Sequence, residues 1–186
     1  MYILLYWYIS HMLSYWSTAV YFGNYSSKCM KKVLQNQIIY TPMVGGSIYS
    51  ILPFVYFPIS IYNCVWQIPS LILLTDFFFY IFHRMFHSKF LYHYHKTHHI
   101  GEFSGAAALY ADGLEHCFVN TIPQLIPVII TRCDPILIGI WIMFISANTV
   151  SAHAKEGQHT IHHKFRDKNF GAGFMLMDKF FCTYKK

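Results

Sequence analysis

Residues 76–99 read DFFFYIFHRMFHSKFLYHYHKTHH, an apolar run that passes directly into a dense group of histidines. Three- and four-residue spacings place residues on one face of a helix. They relate His83 to His87, and His95 to His98 and His99. The spacing recurs downstream in HTIHH, which supplies His159, His162 and His163. Imidazoles grouped in this way are typical of metal ligands. The stretch therefore predicts helices whose ends converge on a metal site.

The composition of the chain is that of a membrane protein. Of the 186 residues, 55% are hydrophobic and only 12% are charged, against about 25% charged in an average soluble domain. The formal net charge is +6, but the basic residues form no stripe interleaved with aromatic residues. We therefore expect no nucleic-acid partner. The five cysteines are scattered and include no CxxC pair, which favours reduced packing residues.

Several apolar segments are long enough to be considered as membrane helices or hairpins. Glycines and prolines in the second segment predict a kinked or partly re-entrant helix. The link at 132–134 is so short that it predicts a helical hairpin. The segments are 2–22, 38–62, 65–82, 118–131 and 135–152.

The distribution of basic residues predicts the orientation of these segments. Placing every basic-rich connection in the cytosol gives about five crossings, and two shallow hairpins would serve nearly as well. Asn24-Tyr25-Ser26 fits a glycosylation triplet, which we expect to be unused because its loop is cytosolic. The predicted fold class is an all-α, integral membrane helical bundle of about four to five membrane helices or hairpins, with a cytosolic histidine-rich metal site. We expect N-terminal membrane helices over 1–75 and a histidine-bearing domain over 76–186.

The number of histidines indicates more than one metal ion. A zinc site uses three or four protein ligands, whereas the three clusters offer eight, with His153 close by. These are enough for two ions with open positions, and open positions on redox-active iron can bind and activate dioxygen. Imidazole also suits zinc, copper and nickel, so histidine alone does not name the metal. A zinc hydrolase is disfavoured because no HExxH motif is present.

Three polar residues outside the clusters are candidates for supporting the ligands. Asp76 lies seven residues before His83, two turns along one helical face, where its carboxylate would accept the second N–H of a ligand imidazole. An acid inside an apolar run is costly and by default a functional candidate. Glu115-His116 opens a later apolar segment. This pair could supply ligands, support a ligand from behind, or be purely structural, and the sequence leaves these readings open.

The order HRMFH, HKTHH and HTIHH, with Asp76 ahead of the first motif, resembles the fatty acid hydroxylase superfamily. This family includes sterol desaturases, sterol C4-methyl oxidases and fatty acid or sphingolipid hydroxylases. The similarity runs from about Asp76 to Tyr184, and it includes LYADGLEH and the tail HHKFRDKNFG followed by MDKFFCTY. The spacing in HRMFH is typical of the sterol-oxidising branch. Two departures are Ala111-Asp112-Gly113, where sterol C4-methyl oxidases tend to have AHP, and Cys182, where the tail usually has glycine.

The resemblance implies a membrane-bound non-haem di-iron oxygenase of the endoplasmic reticulum that hydroxylates or desaturates a lipid. It implies two ferrous ions, dioxygen as co-substrate and electrons from a cytochrome b5-type or similar donor protein. His153, in the SAH step, matches a further family histidine. By motif position the implied ligands are His83, His87, His95, His98, His99, His159, His162 and His163.

A different class of function also accounts for the histidines, namely a metal-binding or metal-transport membrane protein without redox catalysis. Transporters usually place their ligands near the middle of the membrane, between helices. Here the clusters are predicted at helix ends. The sequence therefore favours the oxygenase.

Overall fold

The computed structural model describes residues 2–22, 27–51, 56–100, 104–154 and 157–186. Across these ranges the chain is helical and contains no strand, which confirms the predicted all-α class. The Asn24-Tyr25-Ser26 triplet lies outside the described residues. Two π-helical segments, Asn36–Tyr40 and His116–Thr121, lead into α3 and α7. The α-helices are α1 Tyr2–Phe22, α2 Ser27–Gln35, α3 Thr41–Ile51, α4 Ile61–Phe86, α5 Tyr92–Ile100, α6 Gly113–Glu115, α7 Ile122–Thr131, α8 Pro135–His153, α9 Gln158–Phe165 and α10 Leu176–Phe180.

Among the described helices, α4 and α8 are long and apolar enough to cross a bilayer. Helix α4 begins where the Ser60 hydroxyl accepts the backbone N–H of Asn63 at 3.2 Å, and it ends at His87. Its 26 residues make it roughly 39 Å long at about 1.5 Å per residue. Because this exceeds the hydrocarbon thickness of about 30 Å, the histidine end of α4 can extend beyond the apolar layer.

The other apolar segments differ from the sequence-based expectation. The described part of 38–62 consists of the end of a π-helical segment, α3, and an irregular stretch that leads into α4. Helix α4 starts before the predicted Val65 because Ser60 caps it, and it accommodates Pro69 inside. Helix α7 has only 10 residues, about 15 Å at about 1.5 Å per residue, which is too short to span a bilayer alone.

The predicted hairpin at residues 132–134 is confirmed. Arg132 ends α7 in the left-handed conformation with a φ of 50°. The Asp134 carboxylate then caps α8 by accepting the N–H of Ile136 at 2.9 Å. Pro135 takes the first turn of α8, where a missing N–H costs nothing. The hairpin leads the chain back toward the first histidine clusters.

Helix α1 packs along α8 and completes the bundle. A Cβ at Gly139 would collide with the Tyr6 ring, so glycine allows the two helices to approach closely. The Trp7 indole donates to the carbonyl of Pro135 at 3.1 Å. Large apolar side chains such as Val65 remain 68% exposed on the outside of the bundle. An apolar outer face of this kind is suited to lipid.

Candidate metal centre

Nine imidazoles converge at the ends of α4, α5, α8 and α9. They form two adjoining groups, and within each group the candidate ligand nitrogens lie within 4.8 Å of one another. The structure thus brings together the eight histidines of the three sequence clusters and adds His153. The five-histidine group consists of His83, His87, His95, His99 and His162. The four-histidine group consists of His98, His153, His159 and His163.

Each HxxHH motif contributes to both groups, but in opposite ways. On α5, His95 and His99 belong to the five-histidine group and His98 to the other. On α9, His159 and His163, four residues apart, belong to the four-histidine group. His162 is the one histidine of α9 in the five-histidine group. The ring centroid of His163 lies 4.8 Å from that of His99 across the boundary. The two groups therefore form one continuous centre.

The nitrogen atoms of the five-histidine group are arranged for a cation. Nδ1 of His83 donates to the carbonyl of Phe170 at 2.6 Å, and when Glu115 is ionised Nδ1 of His95 donates to its Oε1 at 2.7 Å. A neutral imidazole carries one N–H, so the two Nε2 atoms present lone pairs to each other across 3.0 Å. Facing lone pairs repel unless a cation lies between them. Two nitrogens bound at right angles, each about 2.1 Å from one metal, lie about 3.0 Å apart, so the spacing fits a shared metal ion.

The four-histidine group has the same tautomer pattern with different support. In three of its four histidines Nδ1 faces a backbone carbonyl, which leaves Nε2 for a metal. The Nε2 atoms of His98 and His153 are 3.3 Å apart. The accepting backbone carbonyls are those of Thr149 for His153 at 2.8 Å, Gly171 for His159 at 2.8 Å and Tyr110 for His98 at 3.3 Å.

One short stretch, residues 168–171, orients imidazoles of both groups, and we call it the carbonyl segment. The carbonyls of Phe170 and Gly171 accept from His83 and His159. That of Lys168 accepts from Nδ1 of His162 at 2.7 Å. Such contacts fix the tautomer and the ring direction of a metal ligand. The carbonyl segment therefore supports both groups from one side.

The carbonyl segment is itself held by two buried residues that sequence reasoning did not assign. The Asp178 carboxylate accepts the N–H groups of Phe170 at 2.9 Å and Gly171 at 2.7 Å. Asn169 has a left-handed φ of 52°, and its Oδ1 accepts the N–H of Lys185 at 2.6 Å. Both residues lie in the tail NFG…MDKFFCTY, which is part of the family resemblance.

Cys182 also lies in this tail, and its backbone explains the departure noted in the sequence. Its φ is 56°, in the left-handed region that favours glycine. Glycine at this position would relieve a steric cost of about 1–2 kcal/mol. The side chain is exposed and has no contact with the histidines.

Asp76 does not contact an imidazole, and the role predicted for it needs correction. Its carboxylate accepts the N–H of Met177 at 2.7 Å, while Nδ1 of His83 is satisfied by Phe170. Seven residues of helix separate Asp76 from His83 by roughly 10 Å along the axis, which is beyond hydrogen-bond reach. Asp76 instead anchors the tail that carries the carbonyl segment.

Glu115 and His116 separate in function although they are neighbours in sequence. Glu115 is 1% exposed and makes the support contact with His95. Burial raises the pKa of Glu115 well above its usual range, and a cation bound to His95 would oppose that shift. His116 is placed away from the nine imidazoles, with its Nε2 2.8 Å from Thr41 Oγ1. The support role suggested for the pair is therefore found in Glu115 and not in His116.

Burial keeps the outer histidines of the centre neutral. It lowers the pKa of His87 to about 4, with Arg166 adding to the shift. It lowers the pKa of His99 to about 3, with His87 adding to the shift. Both rings are uncharged near pH 7, so their lone pairs are available to a metal.

Two cavities lie within the helix bundle. The larger, of about 330 Å³, is lined mainly by α1, α3 and the start of α7. The smaller, of about 20 Å³, is lined by Phe79 and Thr149. Gln124 lines both. The Phe79 ring packs at 5.4 Å from the His83 ring, and the Thr149 carbonyl bonds to His153. The smaller cavity is therefore bordered by residues that contact the centre, and Gln124 is shared between it and the larger cavity.

The fold and the site define a class, an all-helical membrane protein with a histidine-only centre suited to two metal ions. The particular family follows from comparison of sequences. The chain belongs to the fatty acid hydroxylase family, whose family model matches residues 68–183. This confirms the resemblance inferred from the three histidine motifs.

Individual relatives agree with this assignment. A fatty acid hydroxylase of Mycosarcoma maydis is 33% identical over 61% of this chain and 32% of its own length. Lathosterol oxidase of Homo sapiens is 28% identical over 69% of this chain and 48% of its own length, and the Mus musculus protein of the same name is 25% identical over the same shares. The matched region thus spans 32–53% of the length of the curated relatives. No solved structure matches the chain significantly.

Proposed function

We propose that this protein is a membrane-bound di-iron oxygenase that uses dioxygen and an electron donor to hydroxylate or desaturate a lipid, either a sterol or a fatty acyl chain. The observation that carries the proposal is the pair of histidine groups with facing lone pairs, in a helix bundle that also contains a mostly apolar cavity of about 330 Å³. The names of the relatives, fatty acid hydroxylase and lathosterol oxidase, support the same chemistry. Family analogy supports the endoplasmic reticulum, with the centre facing the cytosol, and a cytochrome b5-type donor.

In this proposal two iron ions, when bound, supply dioxygen activation and the oxidation of an unactivated C–H bond. The nine imidazoles hold the ions, and Glu115 places the nearest negative charge behind His95. The carbonyl segment fixes ring orientation so that little reorganisation accompanies the reaction. The rings of Phe79 and Phe170 pack against His83 and shield the centre from water.

Metal storage or transport is the competing function. A transported ion needs a site that it can leave. Here His83 is 1% exposed, His162 is 0% exposed, and both are locked by backbone carbonyls. Such support favours resident ions over ions in transit.

The direct test uses full-length protein purified in lipid nanodiscs and loaded anaerobically with ferrous iron. We expect two irons per chain and oxygen uptake that depends on an added lipid and a reductant. Lipid profiling of cells that express the chain, beside a His162→Ala control, identifies the product. His162→Ala should abolish product while the protein remains in the membrane. Metal flux across vesicles without oxygen consumption, or full activity of His162→Ala, would refute the proposal.

A further inference from the structure

The last residues of the chain form an exposed edge that combines aromatic rings with lysines. We call residues 176–186 the tail edge, and the structure describes all of them. Phe180 is 75% exposed and Phe181 is 42% exposed. The acidic residue of this edge, Asp178, is 0% exposed, so the accessible charge of the tail edge is positive. Its exposed lysines are Lys179, Lys185 and Lys186.

The tail edge is held against α4, and these contacts fix its position along that helix. The Phe181 ring stacks on the Tyr80 ring, with centroids 5.1 Å apart and an angle of 10° between the planes. The hydroxyl oxygens of Thr183 and Tyr80 are 3.3 Å apart. One turn earlier on α4, Asp76 accepts the N–H of Met177. The tail edge therefore lies beside residues 76–80 of α4.

The start of α4 has the composition of a membrane–water boundary. Tyr62 is 85% exposed and Trp66 is 41% exposed, and exposed tyrosine and tryptophan are enriched at such boundaries. From Ile61 to Tyr80, α4 rises roughly 28 Å at about 1.5 Å per residue. The hydrocarbon layer is about 30 Å thick. When α4 crosses the membrane, Tyr80 and the tail edge beside it therefore reach the opposite boundary.

We propose that the tail edge lies in the headgroup layer at this boundary, where its aromatic rings enter the margin of the hydrocarbon and its lysines bind anionic phospholipid headgroups. A lysine can reach a headgroup while its apolar stem stays in the hydrocarbon margin, and each lysine near an anionic surface adds to the attraction. An acidic protein would also attract the lysines, but it would leave unexplained the depth at which α4 holds the rings. The inference requires that α4 crosses a membrane and does not depend on the proposed function.

Lipid contact at the tail edge would also affect the metal centre. Asp178, within the edge, accepts the N–H groups of Phe170 and Gly171, and the carbonyls of these two residues orient His83 and His159. Headgroups bound to the tail edge would therefore stabilise the carbonyl segment. The cytoplasmic leaflet is the anionic one, which is the side proposed for the centre.

Cys182 provides a labelling site within the tail edge. It is exposed, whereas the other four cysteines are buried or half-buried. The test attaches a thiol-reactive NBD fluorophore to Cys182 of the full chain in lipid nanodiscs, and Cys182→Ala treated in the same way gives the background. In discs of phosphatidylcholine and phosphatidylserine in equal parts, brominated serine lipid should quench the label more than brominated choline lipid.

We expect the ratio of serine to choline lipid around the label to be raised roughly fivefold, as one lysine at an anionic surface predicts. At about 1 M salt the screening length is about 3 Å, so the enrichment should disappear.

Two substitutions separate the contribution of the charge from that of the rings. Lys179→Glu should remove most of the serine-lipid enrichment. Phe180→Ser should make the label more accessible to the aqueous quencher acrylamide in discs of phosphatidylcholine alone. Lys31→Glu, at an exposed position of α2 outside the tail edge, is the matched control and should change neither readout. If Lys179→Glu lowers the temperature of thermal unfolding, Lys186→Glu takes its place.

Equal quenching of the native chain by the two brominated lipids would overturn the proposal, as would full access of acrylamide to the label in both kinds of disc. An enrichment that persists in both Lys179→Glu and Lys186→Glu would do the same. Absence of lipid quenching, together with binding of polyglutamate that Lys179→Glu weakens, would assign the tail edge to an acidic protein instead. The measurement needs neither metal nor oxygen. Lipid contact without lipid oxidation would therefore refute the proposed oxygenase alone, and oxidation without this contact would refute the present inference alone.

Discussion

The five-histidine and four-histidine groups use the same imidazole chemistry, but their surroundings differ. The first is backed by a carboxylate, Glu115 behind His95. The second is backed by backbone carbonyls at Thr149, Gly171 and Tyr110. A group of five ligands also leaves fewer open metal positions than a group of four. Two ions bound here would therefore differ in charge environment and in access, although sequence motifs of one type supply both.

The largest expected difference between the two groups is in bound iron and activity after one histidine is removed from each. His98→Ala leaves three ligands in its group, whereas His87→Ala leaves four in the other. We expect His98→Ala to lower bound iron toward one per chain and activity by roughly 100-fold or more. His87 is the one member of the five-histidine group that is only partly buried, so we expect His87→Ala, unlike His162→Ala, to retain both irons and to lose roughly tenfold in activity. Iron per chain and lipid product are measured together.

Equal metal loss in the two variants would show that the groups are equivalent. His93→Ala serves as the control because His93 is an exposed residue of α5 outside both groups. It should bind iron and form product like the native chain.

The carboxylate of Glu115 should give a second, smaller difference between the groups, in their metal affinity. Glu115→Gln keeps a hydrogen-bonding side chain behind His95 but removes the negative charge. We expect metal affinity of the five-histidine group to fall about 10–100-fold, the usual cost of losing such support. Affinity of the four-histidine group should stay the same. Competition with a coloured chelator resolves the two affinities. Asp112→Asn, one turn earlier and on no imidazole, is the matched control, and a loss in it equal to that in Glu115→Gln would contradict the assignment.

The smallest expected effect is that of acid on the stability of the metal-free protein, to which His87 of the five-histidine group contributes. The pKa of His87 is lowered from 6.5 to about 4, so the unfolded chain binds its proton first as pH falls. Stability is therefore complete above pH 6.5 and decreases between pH 6.5 and about 4. We expect His87 to contribute a few kcal/mol to the fall in the free energy of unfolding over this window, and the other buried imidazoles to add to it. Denaturant titration in detergent should therefore give a less steep dependence on pH for His87→Ala than for the native chain, and an unchanged slope would contradict the burial argument.

Sequence alone was informative where chemistry is local. Three- and four-residue spacings predicted the eight histidines that the fold brings together, because the geometry of an α-helix is the same in every protein. The same spacings could not show that His95 and His98 belong to different groups, since that depends on how α5 and α9 are placed relative to each other. Nor could they show that Asp76 reaches Met177, a contact made across the whole histidine domain.

The membrane segments were less predictable than the ligands. The apolar content of 38–62 and 118–131 suggested crossings, yet α3 and α7 are short. Each follows a π-helical segment, and α7 carries Pro123 in its first turn. These features depend on local backbone geometry that hydrophobicity does not encode. The hairpin was predictable because three residues leave no other connection.

The carbonyl segment has a consequence for how the protein is made. Chains are synthesised from the N-terminus, so the imidazoles of α4 and α5 emerge from the ribosome well before residues 168–185. Until Asp178, Asn169 and Lys185 have formed their contacts, no carbonyl aligns His83, His159 or His162. A nascent chain would therefore expose loosely oriented histidines to any metal ion that it meets. If the centre holds the proposed iron ions, their insertion would follow formation of the tail contacts and would be one of the last steps of biogenesis.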